Sequence, residues 1–420
     1  MKALKIKGGK KLLGEVSISG SKNASLPILI SSILIKNSFQ IKNIPKVRDV
    51  FTLIELLKFL GIQLKFDEKN RKVIFNKKKK LKIFAPYSIM KTMRAGILVL
   101  GPLLAKLKKA KVSLPGGCAI GARPVDLHIF ALRKLGAKIS IKDGYIYASA
   151  KKLSGAVIKF PKISVGATET AIFASVLASG KTRIVNAAIE PEIIDLINFL
   201  KVCGAKIKYS KQRIIEIVGV KDLNGKSYRV IPDRIEAITY AVAALITKGK
   251  LKINNVKINE LQNVLSFLRK IGATIISKNN HFIVYAKKKL KKFSFSTKPY
   301  PGLPTDIQAQ LMALATSIKG KCQITENIFE NRFLHVSELS RMGADIKIIK
   351  NTSIVNGGKI LKGAEVMATD LRASVALILA ALSAQGTSTV SRIYHLERGY
   401  EEIQSKLKKC GAIIKSCNVK

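Results

Sequence analysis

One short phrase recurs six times along this chain of 420 residues, and the recurrence restricts the architectures open to it. FLGIQLKF is followed by LRKLGAKISI, LKVCGAKIKY, LRKIGATIIS, LSRMGADIKI and LKKCGAIIKS. Their glycines, Gly61, Gly136, Gly204, Gly272, Gly343 and Gly411, stand 68 to 75 residues apart. Each phrase reads the same way physically. Apolar residues at helical spacing run into a glycine, the usual residue for ending a helix in the left-handed conformation. Apolar and polar residues then alternate, as in Ala137-Lys138-Ile139-Ser140-Ile141, the pattern of a strand with one buried face.

A second element recurs ahead of each glycine: ASLPILISSIL, RAGILVLGPLLA, ATETAIFASVLA, IEAITYAVAALI, TDIQAQLMALA and LRASVALILAAL. These segments are apolar on nearly every side, which predicts buried helices packed among one another. Polar residues gather at their starts: Lys22-Asn23, Arg94, Ser164 to Thr168, Asp233-Arg234, Thr305-Asp306 and Asp370 to Arg372. Units this short cannot each close a core, so two clusters of three are the economical packing. The polar helix starts are then expected to face a shared cleft, where helix N-termini favour anions.

Charge raises a different possibility, because 75 basic residues against 26 acidic ones leave a net charge of +49. Only 15 of the basic residues are Arg and 60 are Lys, spread through the chain with one run at Lys77 to Lys80. Phosphate-reading surfaces concentrate Arg with interleaved aromatics, and this chain has no Trp. A general compositional bias therefore accounts for the lysines better than a nucleic-acid surface does. Five cysteines with no CxxC pair read as reduced thiols, without a disulfide frame or a zinc site. The longest apolar runs, Ser25 to Ile35 and Ala373 to Ala384, are too short to span a bilayer, and the basic start lacks the apolar centre of a signal peptide. The expected location is the cytoplasm. Neither GxGxxG at a strand–helix turn nor GxxxxGK[ST] occurs, and no metal-ligand spacing stands out, so no cofactor and no metal are expected.

The segment KVSLPGGCAIGARPVDL, from Lys111 to Leu127, breaks the repeat and accounts for its longest period. Pro115, Gly116, Gly117 and Gly121 predict a mobile loop with Cys118 at its centre. A loop thiol near Arg123 is placed to be exposed and reactive, whereas the other four cysteines read as inert small hydrophobes. Cys203 and Cys410, just before capping glycines, fall where core-facing residues belong. His128, His281, His335 and His395 fit no Ser-His-Asp or HExxH arrangement and read as structural. Arg94, Arg123, Arg332, Arg372 and Arg398 lie at helix starts or turns. Any one of them could be a surface ion pair worth about 0–1 kcal/mol. Five in corresponding repeat positions instead suit a small, multiply anionic ligand, because guanidinium forks bind phosphate and carboxylate bidentately.

The motifs ISGSKNA, KTMRAG, PGGCAIGARPVDLH, ISVGATET, PDRIEA, PTDIQAQ, ENIFENRFLHVSEL, ATDLRAS and RIYHLERGYE stand in order. With them the chain resembles the UDP-N-acetylglucosamine 1-carboxyvinyltransferase family over its full length. The related shikimate-phosphate enolpyruvyl transferases share the architecture but lack the cysteine loop. The resemblance implies an α/β fold, the inside-out α/β barrel of enolpyruvyl transferases, with two domains each of three βαβαββ-type units. The first domain is expected over 22–231 and the second over 1–21 plus 232–420.

The resemblance also implies roles. Lys22, Asn23, Arg123, Arg332, Arg372 and Arg398 match positions that bind phosphoenolpyruvate. Arg94, Arg123, Pro124, Val125, Asp126, Leu127, Lys162, Ile163, Ser164, Val165, Asp306 and Ile328 match positions that hold UDP-N-acetylglucosamine. Cys118 matches the cysteine that forms an adduct with phosphoenolpyruvate and that fosfomycin-type epoxides alkylate. Asp306 matches a candidate general base beside the sugar 3-hydroxyl, and Asp370 a carboxylate associated with the cysteine loop and the chemistry. Lys22, Cys118, Asp306, Asp370 and Arg398 form the expected catalytic set. The expected partners are these two small molecules, with no specific nucleic acid, no membrane and a monomeric protein. Two departures from the family stand out: Ser21 where Ala is frequent, and the charge of +49. Transfer to shikimate 3-phosphate, polyanion binding and a degenerate inactive repeat are the competing readings.

Overall fold

A computed structural model of the chain describes residues 2–76, 80–116 and 125–419. All six repeat glycines adopt left-handed backbone, with φ between +91° and +104°. Each is followed by a strand: Leu64–Asp67, Lys138–Lys142, Lys206–Tyr209, Thr274–Lys278, Asp345–Ile349 and Ile413–Asn418. The helix–glycine–strand phrase is thus a real structural unit, repeated because each copy solves the same problem of reversing the chain without a Cβ clash.

Among the described residues the strands form six four-stranded sheets built to one plan. In one of them Val157–Lys159 runs parallel to Lys181–Val185, which pairs antiparallel with Ile214–Val218, which pairs antiparallel with Lys206–Tyr209. The buried helix Val165–Ser175 joins the parallel pair, and the outer helix Pro191–Val202 leads to the edge strand after Gly204. The order is therefore βαβαββ, with the post-glycine strand at the sheet edge in all six. The sheets remain separate, and none of them closes on itself among the described residues.

Three left-handed asparagines belong to the same plan. Asn43, Asn186 and Asn255 have φ of 63°, 60° and 57°. Their Nδ2 groups donate to the carbonyls of Val230, Phe160 and Ile18 at 2.8, 3.0 and 2.6 Å, pinning the end of a parallel strand pair. Asn tolerates this backbone better than other residues with a side chain.

Contacts divide the described residues into two compact units, one over residues 20–231 and one joining the N-terminal segment through Ser19 to residues from Pro232 onward. Each has its own apolar core. In the second unit Lys2–Lys7 sits between Thr387–Ser391 and Ile413–Asn418, and Leu13–Ser17 lies parallel to Lys250–Asn254. In the first, the late strand Tyr228–Arg229 returns to pair with Phe39–Lys42. Each unit is thereby completed by chain from its far end. Gly20, where the first unit begins, has no room for a side chain, since a Cβ would overlap the Asn43 carbonyl oxygen.

The apolar repeat segments form the interior of each unit. Every residue of Arg234–Ile246 is buried, as is all of Leu371–Ser383 except Ser383. These two helices and Gln308–Thr316 touch one another. Outer helices carry a single apolar stripe instead: Ile258–Lys270 buries Leu261, Val264, Leu265 and Leu268. Among the described residues no helix is long and apolar enough to cross a membrane.

Candidate active site

Three aspartates stand at the starts of the inner helices of the second unit, and two of them do ordinary capping work. Asp233 accepts the amides of Ile235 and Glu236 at 2.8 and 3.0 Å. Asp370 accepts those of Arg372 and Ala373 at 2.7 and 3.2 Å. Both use the N-cap geometry that satisfies free donors of a first helical turn. Asp306 does not cap. Its helix opens with the 3-10 turn Thr305–Ile307 after Pro304, and no side chain caps Gln308–Thr316.

The Asp306 carboxylate binds arginines instead. Oδ1 accepts from Arg372 Nε at 2.9 Å and from Arg332 Nη2 at 3.5 Å. Both arginine side chains are buried, whereas Asp306 keeps 27% of its side chain exposed. Burial pushes the Asp306 carboxyl up, but Arg372, Arg332 and Arg234 outweigh it and hold the group well below the usual carboxylate range. Burial likewise opposes the Arg372 charge, and Asp306 restores it and raises its pKa above the ordinary value. Arg332 is incompletely satisfied: its Nε and Nη1 are buried with no hydrogen-bond partner among the described residues. Buried guanidinium donors without acceptors are costly, and an anion seated beside them would remove that cost.

A polar layer lies behind this cluster. Tyr400, its pKa pushed up by burial against the opposing charge of Arg372, meets Thr239 Oγ1 through its hydroxyl at 2.9 Å. Gln310 donates to Thr239 Oγ1, to the Tyr400 hydroxyl and to the Asp306 carbonyl at 3.3, 3.3 and 3.0 Å. All three inner helices of the unit therefore bring polar side chains to this place, Thr239, Gln310 and Arg372. Ile328, 38% exposed, follows the buried Glu326. Arg398 is half-buried at the end of the 3-10 helix Ile393–Arg398.

In the first unit Lys22 opens the helix Lys22–Ile30 and pairs with Asp49 at 3.4 Å, with Asn23 half-buried beside it. Arg94 opens the 3-10 helix Arg94–Val99, which packs on both Lys22–Ile30 and Val165–Ser175. Ser164 caps the latter by accepting from Ala167 N at 3.3 Å, while Lys162 and Val165 are exposed and Ile163 is half-buried. Asp126 starts the helix Asp126–Lys134 after Val125, and Leu127 is buried in the core. Cys118, Arg123 and Pro124 lie outside the described residues.

A family profile described as EPSP synthase (3-phosphoshikimate 1-carboxyvinyltransferase) matches residues 6–407. The chain belongs to this carboxyvinyltransferase family. It is 53% identical over 419 residues to the UDP-N-acetylglucosamine 1-carboxyvinyltransferase of Pelagibacter ubique, covering 100% of both chains. Over 414 residues it is 52% identical to the enzyme of that name from Geotalea uraniireducens, covering 99% of each. Its fold is that of the enolpyruvyl transferase NikO from Streptomyces tendae, with a TM-score of 0.90 at 22% identity over 100% of this chain and 99% of that one. EPSP synthase from Acinetobacter baumannii matches with a TM-score of 0.79 at 19% identity over 100% of both.

Burial shifts several other titratable groups of this carboxyvinyltransferase. His128, buried against the inner helix Val165–Ser175, shares a 2.8 Å hydrogen bond between Nδ1 and Thr170 Oγ1. Burial, helped by the Arg94 cation, pushes its pKa down to about 4. Burial also lowers His335 to about 4, although the Asp370 charge opposes the shift. Cys203, Cys322 and Cys410 are buried free thiols whose pKa values burial raises, that of Cys203 to about 11. Among the described residues no group of three His, Cys, Asp or Glu side chains is placed to hold a metal ion. Glu326, Tyr400 and Arg234 escaped the reading of the sequence as site residues. Arg234, beside Asp233 at a helix start, carried the one usable signal, and its charge acts on Asp306.

Proposed function

We propose that this carboxyvinyltransferase moves the enolpyruvyl group of phosphoenolpyruvate onto the 3-hydroxyl of UDP-N-acetylglucosamine and releases phosphate. That reaction is the first committed step of peptidoglycan synthesis, so the enzyme serves cell-wall biogenesis and hence cell shape and division. The observation that carries the reading is the Asp306 carboxylate held by Arg372 and Arg332, in a chain 53% identical end to end to an enzyme of that name. Unpaired thiols at the four described cysteines support a cytoplasmic location.

The chemistry is addition followed by elimination. Protonation of phosphoenolpyruvate at C3 builds positive character at C2, where the sugar hydroxyl attacks as Asp306 removes its proton. The tetrahedral intermediate then loses phosphate and a C3 proton. Arg332 brings to an anionic substrate two nitrogens that have no hydrogen-bond partner among the described residues. Arg372, Arg398, Lys22 and Arg123 complete the cationic set, and Asn23 contributes an uncharged amide. Their fixed charges stabilise the departing phosphate throughout, a preorganised electrostatic contribution. An Asp306 paired with two arginines is a weak base, so its strength rises as the substrate's anionic groups draw the guanidiniums away. Arg94, Val125 to Leu127, Lys162 to Val165 and Ile328 hold the sugar nucleotide. Cys118 carries the phosphoenolpyruvate adduct, and Asp370 acts with it.

Phosphate release from phosphoenolpyruvate, measured with and without UDP-N-acetylglucosamine, tests the reading. Release that follows added shikimate 3-phosphate and ignores the sugar nucleotide would overturn the acceptor.

A further inference from the structure

We propose that Glu326 is the positioning residue that holds Asp306 and Arg332 against each other. The inference rests on the reading that this pair serves the transfer reaction. Glu326 is only 3% exposed, yet its carboxylate accepts four hydrogen bonds from three stretches of chain. Oε1 takes Thr297 Oγ1 at 2.9 Å and the amides of Ile328 and Phe329 at 2.8 and 3.2 Å. Oε2 takes Thr305 Oγ1 at 2.8 Å. Thr297 Oγ1 in turn accepts the Asn327 amide at 2.9 Å, closing the loop upon itself.

Both ends of the catalytic pair hang from this one group. Thr305 immediately precedes Asp306, in the 3-10 turn that replaces the capped start seen at Asp233 and Asp370. On the other side, the Phe329 ring centroid lies 4.9 Å from the Arg332 guanidinium carbon. Arg332 has little else to fix it, since its Nη2 reaches Asp306 at a long 3.5 Å and its other buried nitrogens lack partners among the described residues. A cation–π contact with the Phe329 ring therefore sets where the guanidinium sits, and the Glu326 carboxylate sets where Phe329 sits. Keeping a carboxylate this deep on hydroxyls and amides, with no cation bonded to it among the described residues, is a costly way merely to tie a loop. The cost is understandable where two reacting groups must be held within fractions of an ångström.

Glu326→Gln tests this, because the amide loses the charge that strengthens the bonds from Ile328 and Phe329 and, with its oxygen turned to them, sets a donor where Oε2 now accepts from Thr305. A double-mutant cycle with Arg332→Ala separates positioning from stability. It is read on kcat/KM for phosphate release with both substrates and, independently of any acceptor, on the dissociation constant for inorganic phosphate. If Glu326 acts through Arg332, the substitution weakens both by about tenfold in the native background and by less than about twofold once Arg332 is gone. Thr305→Val, which removes one bond and keeps the carboxylate, shifts both readouts the same way by a smaller factor and serves where Glu326→Gln folds poorly. Equal losses in both backgrounds, or a lower Tm with unchanged kinetics and phosphate affinity, would overturn the proposal. Coupled phosphate binding in a protein that ignores UDP-N-acetylglucosamine would uphold Glu326 and sink the acceptor assignment alone.

Discussion

Arg372 Nε donates to Asp306 Oδ1 at 2.9 Å, joining residues 66 positions apart at the starts of two neighbouring inner helices. The contact exists because Asp306 is released from the capping duty that its counterparts Asp233 and Asp370 perform. Repetition supplies three nearly equivalent aspartates, and a 3-10 first turn singles out one of them. Substitution of this pair gives the most direct test of the site.

Asp306→Ala is expected to lower kcat by about a thousandfold, in the range usual for losing a general base. Losing the partner of the buried Arg372 and Arg332 also costs stability, so turnover is compared at a temperature where the variant is folded. Circular dichroism alongside phosphate release checks both halves. Retention of full turnover would remove Asp306 from the chemistry.

Thiol chemistry offers a test that does not depend on the arginines. Cys203, Cys322 and Cys410 are buried with raised pKa values, so each is a poor nucleophile at neutral pH. A fosfomycin-type epoxide should therefore label the native protein once and Cys118→Ala not at all, as intact mass would show. Undiminished labelling of Cys118→Ala would point to half-buried Cys417.

The repeat architecture was legible because its signal is local. A glycine after an amphipathic run and an alternating strand after the glycine are both readable within ten residues, and six positive φ angles stand at those glycines. Asp306, Arg332 and Arg372 were legible as polar residues at helix starts or turns, and the structure brings them together. Glu326 and Tyr400 were not, because their significance lies in partners far along the chain, such as Thr297 and Thr305 or Thr239 and Gln310. Nor does spacing distinguish a capping aspartate from one that faces arginines. That difference lies in the geometry of a single turn.

Stability should respond to pH through His128. Its pKa of about 4 in the folded protein lies below the ordinary 6.5, so the unfolded chain binds more protons between these values. The contribution is fully present above pH 6.5 and is lost as pH falls toward 4. Since each tenfold change in proton affinity is worth about 1.4 kcal/mol, the contribution amounts to roughly 3 kcal/mol. Melting curves should show Tm falling through this window, and His128→Gln should flatten the fall. An unchanged slope in the variant would assign the effect elsewhere.

The capping glycines can be separated from the packing glycines by what an added methyl group costs in stability. Gly204 has φ +104° and open space within 4 Å of where a methyl group would sit, so Gly204→Ala is strained only in its backbone. The expected cost is about 1 kcal/mol. At Gly219 a Cβ would overlap the Ala178 carbonyl oxygen, and Gly219→Ala should cost about 3 kcal/mol. Reversal of that order in urea titration would contradict the assignment of roles.

Lys406 tests how the N-terminal segment is fastened into the second unit. Its Nζ lies 2.6 Å from Glu236 Oε1 and 2.7 Å from Ser19 Oγ, while Glu236 Oε2 accepts the Ser19 amide at 2.9 Å. Burial raises the Glu236 pKa and the Lys406 charge opposes the rise, so removing the lysine leaves a carboxylate with little reason to stay ionised. Lys406→Met should destabilise the protein by about 3 kcal/mol, since breaking a buried pair strands its partner. Adding Glu236→Gln should recover part of that loss, because the neutral amide carries no stranded charge yet still offers an oxygen to the Ser19 amide. A double variant less stable than Lys406→Met alone would mean that the carboxylate fastens the segment through its bond to Ser19, without help from the lysine.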